Sequence, residues 1–409
     1  MNDSMIIVGL DLGSHRVSMA IAELDGRGKL RVLGLGTSSS EGIVRGEVMD
    51  FDRALDCVRT ARREAEAAAG HDVQSAFVSV SGKDFVVRRS EGVHVKDGDG
   101  REITREDLEQ VVRVAKGMLL PEGYRILHTL PVDFILDGRS GIKDPVGMDG
   151  IRLQAEVQLV LGSSPHLDNT RKLVEKAGVG VESLVFSPLA TAMAALSPDE
   201  RETGTILFDI GDGSTEILVL EKGALQHCQV LPIGGSNISR DLSIGLSIPF
   251  EEAERLKRNA CVAIEEKRQN LSFPIRQMGS SENRSVSLET IRSIMDPRLN
   301  EILEVAWRSA LEGSEAARLP STGLVLCGGV ARMPGIGDLA SQRFDRPVRL
   351  ASPVDTEGLL AELRDPRYTP LVGLLRYGYQ RLQGEGRESV PERSGGSPLR
   401  RALRAFSRR

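Results

Sequence analysis

The sequence lacks the features that mark several special classes of protein. No apolar run among its 409 residues reaches the roughly 18 residues of a membrane-spanning helix. No basic segment followed by an apolar stretch opens the chain, so we expect no signal peptide. The 4 cysteines are scattered without metal-ligand spacing, which predicts buried, reduced thiols. With a net charge of −5, the chain is not expected to bind nucleic acid.

What the sequence does contain is one short motif that occurs twice. An apolar strand, an Asp-x-Gly turn and a second apolar strand lie at Ile6–Ala22 and again at Ile206–Leu220. Aligning Asp11 with Asp209 also aligns Gly13 with Gly211. The glycines allow a close backbone approach, and an aspartate at such a turn can hold a hydrated divalent cation. The repeat predicts a duplicated domain with a nucleotide between its halves.

Two further glycine turns complete a set of four that indicates a nucleotide site. The set is Asp11-Leu12-Gly13-Ser14, Asp209-Ile210-Gly211-Asp212-Gly213-Ser214, Gly234-Gly235-Ser236-Asn237 and Gly328-Gly329-Val330. We expect the first two turns to face the β- and γ-phosphates, with Asp11 and Asp209 holding Mg²⁺ through water, and the last two to approach the ribose and base. No Walker-type G-x-x-x-x-G-K-[ST] and no strand-linked G-x-G-x-x-G is present, which disfavours those nucleotide folds. The alternative, for any one turn taken alone, is an ordinary hairpin turn.

The order of predicted strands and helices indicates an α/β protein of two lobes. The predicted parts are a first lobe (1–84 and 164–198), an inserted α+β subdomain (85–163), a second lobe (199–382, with 236–315 as its outer subdomain), a disordered tether (383–397) and a C-terminal helix (398–409). Thr104 and Asp107 predict a capping box in the insertion. Ser197–Gly204 is predicted to be a hinge that breaks regular structure, and Leu371–Leu382 to close the second lobe. Residues 268–286 are polar and poorly patterned.

Together these motifs resemble the FtsA family, within the actin-type ATPase superfold that sugar kinases and heat-shock chaperones share. The resemblance extends from residue 5 to about residue 382, and rests on the glycine turns together with three further segments. These are GIVRGEVMD (Gly42–Asp50), the segment Pro131–Leu153 and IPFEEAERLK (Ile248–Lys257). It implies an actin-like, ribonuclease H-like duplicated α/β fold, with the insertion at 85–163 replacing actin's usual subdomain.

The resemblance also implies roles for individual residues. The phosphate loops match at Gly13, Ser14, Gly211, Asp212, Gly213 and Ser214, the glycine loop of the second lobe at Gly234 and Gly235, and the adenosine loop at Gly328 and Gly329. Glu254 and Lys257, one helical turn apart, match a pair that flanks the adenosine; the alternative is a surface ion pair. Asp212 and Cys261 depart from the family pattern, because both stand where a glycine is usual.

Hydrolysis is a separate question. Efficient ATPases of this superfold carry a Gln or Glu on the connecting helix to orient the attacking water, whereas residues 186–196 here read FSPLATAMAAL. We therefore expect ATP to act as a structural switch with slow turnover at most. The alternative is a phosphotransferase or chaperone-type ATPase of the same fold, with His15 or His128 as a base. We interpret both histidines as polar or packed.

The last twelve residues, Pro398–Arg409, predict an amphipathic helix on a membrane surface. Leu399, Ala402, Leu403 and Phe406 form one apolar stripe, and the remainder is basic, with Arg400, Arg401, Arg404, Arg408 and Arg409. In the FtsA family the matching tail is the membrane-targeting helix. Burying its apolar groups in the membrane contributes roughly 5–8 kcal/mol. Because ordering so short a helix offsets much of that free energy, we expect a weak anchor. The alternative is a basic disordered tail.

The resemblance implies a protein of bacterial cell division on the cytoplasmic face of the inner membrane at the division site. Its implied partners are the C-terminal peptide of FtsZ, further copies of itself in a nucleotide-dependent filament, later division proteins and the anionic membrane surface. Arg298 matches an arginine with which the family holds the FtsZ peptide, and a guanidinium suits an acidic peptide. The alternative is a solvated arginine at a helix start.

Overall fold

A computed structural model describes most of the chain. The described residues are 5–24, 30–96, 102–259, 271–278, 283–312, 323–354 and 358–385. Cys261, residues 386–397 of the predicted tether and the predicted C-terminal helix lie outside them. The other cysteines are buried free thiols, as predicted: Cys57, Cys228 and Cys327.

The first lobe begins with strands and one long helix. In chain order these are β1 (Ile6–Leu12), β2 (Arg16–Leu24), β3 (Leu30–Ser39), β4 (Ile43–Val44), β5 (Glu47–Val48), α1 (Phe51–Ala69) and β6 (Ser75–Val80). The ends of helix α1 follow from local chemistry. The side chain of Asp50 accepts a hydrogen bond from the Arg53 N–H, and Gly70 ends the helix in the left-handed conformation at φ 66°.

The inserted subdomain is an antiparallel sheet with one helix. It comprises β7 (Val86–Val95), α2 (Arg105–Lys116), β8 (Tyr124–Leu136), β9 (Arg139–Ile142) and β10 (Arg152–Ser163), with sheet order β7-β10-β8-β9. The predicted capping box is confirmed: Thr104 Oγ1 accepts from the Asp107 N–H, and the Asp107 carboxylate accepts from the Thr104 N–H. Helix α2 covers a core that includes Phe134 and Leu153.

The chain then returns to the first lobe through α3 (Ser164–Lys176), β11 (Gly180–Phe186), α4 (Ser187–Ala195) and α5 (Pro198–Thr203). The first-lobe sheet has the order β11-β6-β1-β2-β3, and every residue of α4 is buried. The predicted break in regular structure at Ser197–Gly204 is wrong, because Pro198–Thr203 form α5. Ser197 and Glu200 cap that short helix reciprocally, so the polar residues that indicated a break instead start a helix.

The second lobe repeats the topology of the first. Its elements are β12 (Thr205–Ile210), β13 (Thr215–Glu221), β14 (Ala224–Leu231), α6 (Gly235–Leu246), α7 (Phe250–Asn259), β15 (Ser272–Arg276), β16 (Asn283–Ser287), α8 (Leu288–Glu312), β17 (Leu324–Cys327), α9 (Ile336–Phe344) and β18 (Val348–Leu350), followed by α10 (Thr369–Glu385). The sheet order β14-β13-β12-β17-β18 mirrors the first sheet strand for strand. In each sheet the first three strands in the chain form an antiparallel meander. Two parallel strands continue the sheet beside the first strand of that meander.

The two Asp-x-Gly turns have the same register. Asp11 lies opposite Ser18 in the β1–β2 hairpin, and Asp209 lies opposite Glu216 in the β12–β13 hairpin. In each turn the first glycine donates its N–H to a carbonyl three residues later, at 3.1 Å in the first lobe and 2.9 Å in the second. The predicted duplication is confirmed at the level of individual hydrogen bonds.

Helix α10 corrects a second prediction. Rather than closing the second lobe, it packs on the first-lobe sheet and on α4, with Leu371, Leu374 and Leu375 in the same core as Ile7 and Phe77. The helix is apolar because it covers that sheet. A smaller difference concerns the second lobe, where the polar stretch 268–286 contains most of the β15–β16 hairpin.

Candidate functional site

A cleft of about 620 Å³ lies between the lobes, where the two duplicated turns face each other. The predicted residues that line it are Asp11, Gly13, Ser14, Asp209, Gly211, Asp212, Gly213, Ser214, Gly235, Glu254, Lys257, Gly328 and Gly329. Gly234 lies behind this surface. A Cβ on Gly234 would come within 2.6 Å of the Asp212 carbonyl oxygen, so this glycine allows α6 to approach the second turn.

The two turns touch each other across the cleft. A Cβ on Gly213 would lie 2.8 Å from Ser14 Oγ, so the second lobe is in close contact with the first at this point. The start of α6 packs on the same turn, since the Gly235 N–H donates to the Gly211 carbonyl at 2.9 Å and the Ser236 N–H to the Asp212 carbonyl at 2.9 Å. Glycine turns of this kind present backbone N–H groups, which can bind phosphate.

Two aspartates lie at the floor of the cleft, with Asp209 buried and Asp11 half-buried. Ser79 Oγ donates to Asp11 Oδ1 at 2.7 Å, and Thr191 Oγ1 donates to Asp209 Oδ2 at 3.2 Å. Burial raises the pKa of Asp11 to about 6. Burial, with the nearby charge of Asp11, raises the pKa of Asp209 to about 7. A cation between them would favour the ionised forms, so the donor set fits the predicted magnesium ion.

A third buried acid, Glu216, was missed by the sequence analysis. Ser81 Oγ donates to its Oε1 at 2.5 Å and Ser187 Oγ donates to its Oε2 at 3.2 Å. Burial, with the charge of Asp209, raises the pKa of Glu216 to about 8. An acid in the apolar run of β13, directly opposite Asp209, was the signal that could have found it. Because Ser187 is the first residue of α4, this carboxylate stands beside the helix that lacks an acid of its own.

Glu254 and Lys257 form a buried pair rather than a surface one. Their side chains are only 11% and 9% exposed, and Lys257 Nζ lies 2.5 Å from Glu254 Oε1. Lys257 also donates to the Gly235 carbonyl at 3.0 Å, and Ser239 donates to Glu254. The pair therefore ties α7 to the start of α6 at the edge of the cleft. Burial raises the pKa of Asp212 nearby, against the opposing charge of Lys257.

The opposite edge of the cleft is held by a chain of polar contacts. Arg16 Nη1 donates to Tyr368 Oη at 2.6 Å, and the Arg367 guanidinium lies 5.7 Å from the centre of the same ring. Asp365 pairs with Arg367 at 2.9 Å and with Arg332 at 3.2 Å. These contacts connect the first turn, the segment before α10 and the segment after Gly329.

The positions of the acidic side chains indicate how a metal ion would be held. Within the described ranges, no three His, Cys, Asp or Glu side chains are placed to ligate one metal ion. Asp11 and Asp209 nevertheless both line the cleft. Magnesium held through water, as predicted, needs oriented acids rather than a closed ligand shell.

Comparison with known proteins identifies the family. The family model described as "Cell division protein FtsA" matches residues 206–373, and that described as "SHS2 domain inserted in FTSA" matches residues 84–161. The cell division protein FtsA of Pseudomonas aeruginosa is 34% identical over 383 residues, which cover 93% of this chain and 91% of that protein. FtsA of Bacillus subtilis is also 34% identical, over 95% of this chain and 87% of its own length.

This chain belongs to the FtsA family of cell division proteins.

Solved structures share the fold of this FtsA-family chain at low sequence identity. The PilM-PilN type IV pilus biogenesis complex matches with a TM-score of 0.63 and 15% identity, covering 91% of this chain and 98% of that chain. MreB5 of Spiroplasma citri bound to ADP matches at 0.57 and 13%, covering 92% and 98%. The MamK double helical filament matches at 0.54 and 14%, covering 91% and 98%. The predicted actin-like α/β fold is confirmed.

The remaining predicted FtsA sites lie away from the cleft. Arg298 of α8 is half-buried and paired, with its Nε 2.6 Å from Asp241 Oδ2 and a second contact to Glu301. The predicted membrane residues, Leu399, Arg400, Arg401, Leu403, Arg404, Phe406 and Arg408, lie outside the described residues. In the part of the chain that is described, no helix is both long and apolar enough to cross a membrane.

Proposed function

We propose that this FtsA-family chain is an ATP-binding, actin-like adaptor that tethers FtsZ filaments to the inner membrane and recruits later division proteins. The observation that carries the proposal is the pair of duplicated turns, with their two aspartates, at one cleft between two lobes. The cleft volume of about 620 Å³ lies within the usual range for small-molecule sites. Family membership supports the role in cell division.

The cleft residues would divide the nucleotide among them. The backbone around Gly13, Ser14 and the second turn would bind the phosphates. Asp11 and Asp209 would orient the water shell of Mg²⁺, whose charge offsets the burial that raises their pKa values. The Glu254–Lys257 pair and the Gly328–Gly329 turn would flank the adenosine.

Slow turnover is part of the proposal. Glu216 is the acid best placed to orient a water molecule, since it lines the cleft beside Ser187. Burial and the charge of Asp209 raise its pKa to about 8, which disfavours the ionised form that would accept a proton. We expect hydrolysis to be slow. Rapid multiple turnover that depends on a small-molecule acceptor would instead support the phosphotransferase alternative.

The FtsZ peptide would bind on the outer part of the second lobe, near Arg298. Ile244 and Met278 are exposed by 72% and 60%. Both lie near the C-terminal end of α6, because the Ser247 carbonyl just after that helix accepts a hydrogen bond from the Met278 N–H. The same end of α6 packs on α8 through Gly245 and Ile294. This surface suits a peptide with apolar and acidic side chains. Its carboxylates would exchange with the intramolecular partners of Arg298.

Membrane attachment would come from residues 398–409, whose sequence combines an apolar stripe with five arginines. One tail is a weak anchor, but several tails in one filament bind through their effective concentration. Assembly with further copies of the chain and attachment to the cytoplasmic face of the inner membrane would then be coupled.

Co-flotation of FtsZ with anionic liposomes tests the adaptor role. We expect FtsZ to float only when the full chain is present, and an Arg298→Glu variant to float by itself while leaving FtsZ behind. An Arg139→Glu variant is the control, because Arg139 is exposed on the inserted subdomain. If FtsZ stays at the bottom of the gradient while the chain floats, the adaptor role is contradicted.

A further inference from the structure

A short hairpin at residues 42–48 lies where the two duplicated turns meet. A Cβ on Gly213 would lie 3.3 Å from the backbone nitrogen of Arg45, beside its contact with Ser14. Gly46 lines the cleft, and a Cβ there would come within 2.2 Å of the Ser81 carbonyl. The turn of this hairpin therefore occupies the phosphate end of the proposed nucleotide site and touches both lobes.

The backbone of the turn is unusual for an arginine. Val44 pairs with Glu47, so only two residues connect β4 to β5. Arg45 has φ 54° and Gly46 has φ 83°, which makes this a hairpin turn of the type that favours Asn-Gly. An arginine pays a steric cost in the left-handed region, and such outliers cluster at functional sites. Turn chemistry alone would select asparagine at position 45.

The charges of the cleft give Arg45 a role. Each arginine or lysine that lines the cleft already has a partner: Arg16 with Tyr368, Lys257 and Arg258 with Glu254, and Arg332 and Arg367 with Asp365. The Arg45 side chain is exposed and has no hydrogen bond or ion pair to any residue that the structure describes. A triphosphate adds negative charge to a cleft that already contains Asp11, Asp209 and Glu216, so an unpaired cation at its terminal end would stabilise it.

We propose that the guanidinium of Arg45 binds the terminal phosphate of ATP, and so determines the preference of the site for ATP over ADP. The inference rests on the proposed nucleotide site. The guanidinium would move from solvent onto the phosphate, where charge-assisted hydrogen bonds are strongest. Because the turn joins the first lobe to Gly213 of the second, this contact would hold the cleft closed only while the terminal phosphate is present.

Titration calorimetry with Mg-ATP and with Mg-ADP tests the proposal on the full chain. We expect Arg45→Asn to weaken ATP binding about tenfold or more and to change ADP binding less than about twofold. Arg45→Lys should keep part of the preference, because it retains the charge without the paired geometry. Arg139→Asn is the matched control, since it removes an exposed arginine far from the cleft.

The thermal midpoint without nucleotide excludes a folding defect. Asparagine suits the turn better than arginine, so Arg45→Asn should melt at or above the temperature of the original chain. If Arg45→Asn weakens the binding of ATP and of ADP equally, or weakens the binding of neither, the inference is overturned while the nucleotide site stands. If the original chain binds neither nucleotide, both the inference and the proposed ATP site fail.

Discussion

At the scale of the residue, burial decides which side chains can carry charge. His128, weighed in the sequence as a candidate base, is buried and its Nε2 accepts a hydrogen bond from the Phe186 N–H at 3.0 Å. Burial, with a smaller effect of Arg381, lowers its pKa from the ordinary 6.5 to about 4. A neutral acceptor that joins the inserted subdomain to β11 is a packed histidine, as the sequence analysis expected.

The pH dependence of stability follows from that shift. Since the unfolded chain protonates His128 more readily, folding stability falls as the pH drops from 6.5 to about 4, by about 1.4 kcal/mol per pH unit from this group. A His128→Gln variant should lose this component. Urea unfolding of both proteins at several pH values measures it, and parallel curves for the two proteins would refute the assignment.

The Glu254–Lys257 pair supports a second prediction. Lys257→Ala leaves the buried carboxylate of Glu254 with only the more exposed Arg258 as a cation. We expect a loss of about 3 kcal/mol in the free energy of unfolding, at the lower end of the range for breaking a buried ion pair. The double variant Glu254→Gln, Lys257→Met should recover most of that loss, because no buried charge remains. Chemical denaturation measures the stability of both variants. A Lys257→Ala variant as stable as the original chain would mean that the pair is solvated.

At the scale of the element, close helix packing makes α10 part of the first lobe. A Cβ on Gly373 of α10 would lie 1.8 Å from the Ala190 carbonyl of α4, whereas a Cβ on Gly337 of α9 would make ordinary contacts from 3.4 Å. Gly373→Ala should therefore lower the stability by several kcal/mol. Gly337→Ala should be neutral or stabilising by up to about 1 kcal/mol. Equal melting temperatures for the two variants would contradict the packing.

The same elements show what the sequence could predict. Helix α1 and the capping box at Thr104 were predictable because their signals are local. The docking of α10 was not, since an apolar stripe does not say which lobe it covers. The β15–β16 hairpin was missed because, among its residues with described burial, only Ile275 and Val286 are buried. Glu216 was missed because its role depends on Ser81 and Ser187, which are distant in sequence.

At the scale of the whole molecule, the duplicated sheets place one cleft between two lobes. Contacts at both edges of that cleft join the lobes: Ser14 with Gly213, and Asp365, in the segment that precedes α10, with Arg332 of the second lobe. Helix α10 leads directly into the tether and the predicted membrane helix. On the proposed function, nucleotide in the cleft would favour lobe closure, and the segment before α10 would link that closure to the tail that follows α10 in the sequence.

Flotation with anionic liposomes tests this central claim most directly. The full chain is compared with a version that ends at Ser397, each with and without Mg-ATP. We predict that only the full chain floats and that Mg-ATP increases the floating fraction, because assembly multiplies the tails. If the full chain remains at the bottom of the gradient in both conditions, or floats equally well without residues 398–409, the account of a nucleotide-controlled membrane adaptor is contradicted.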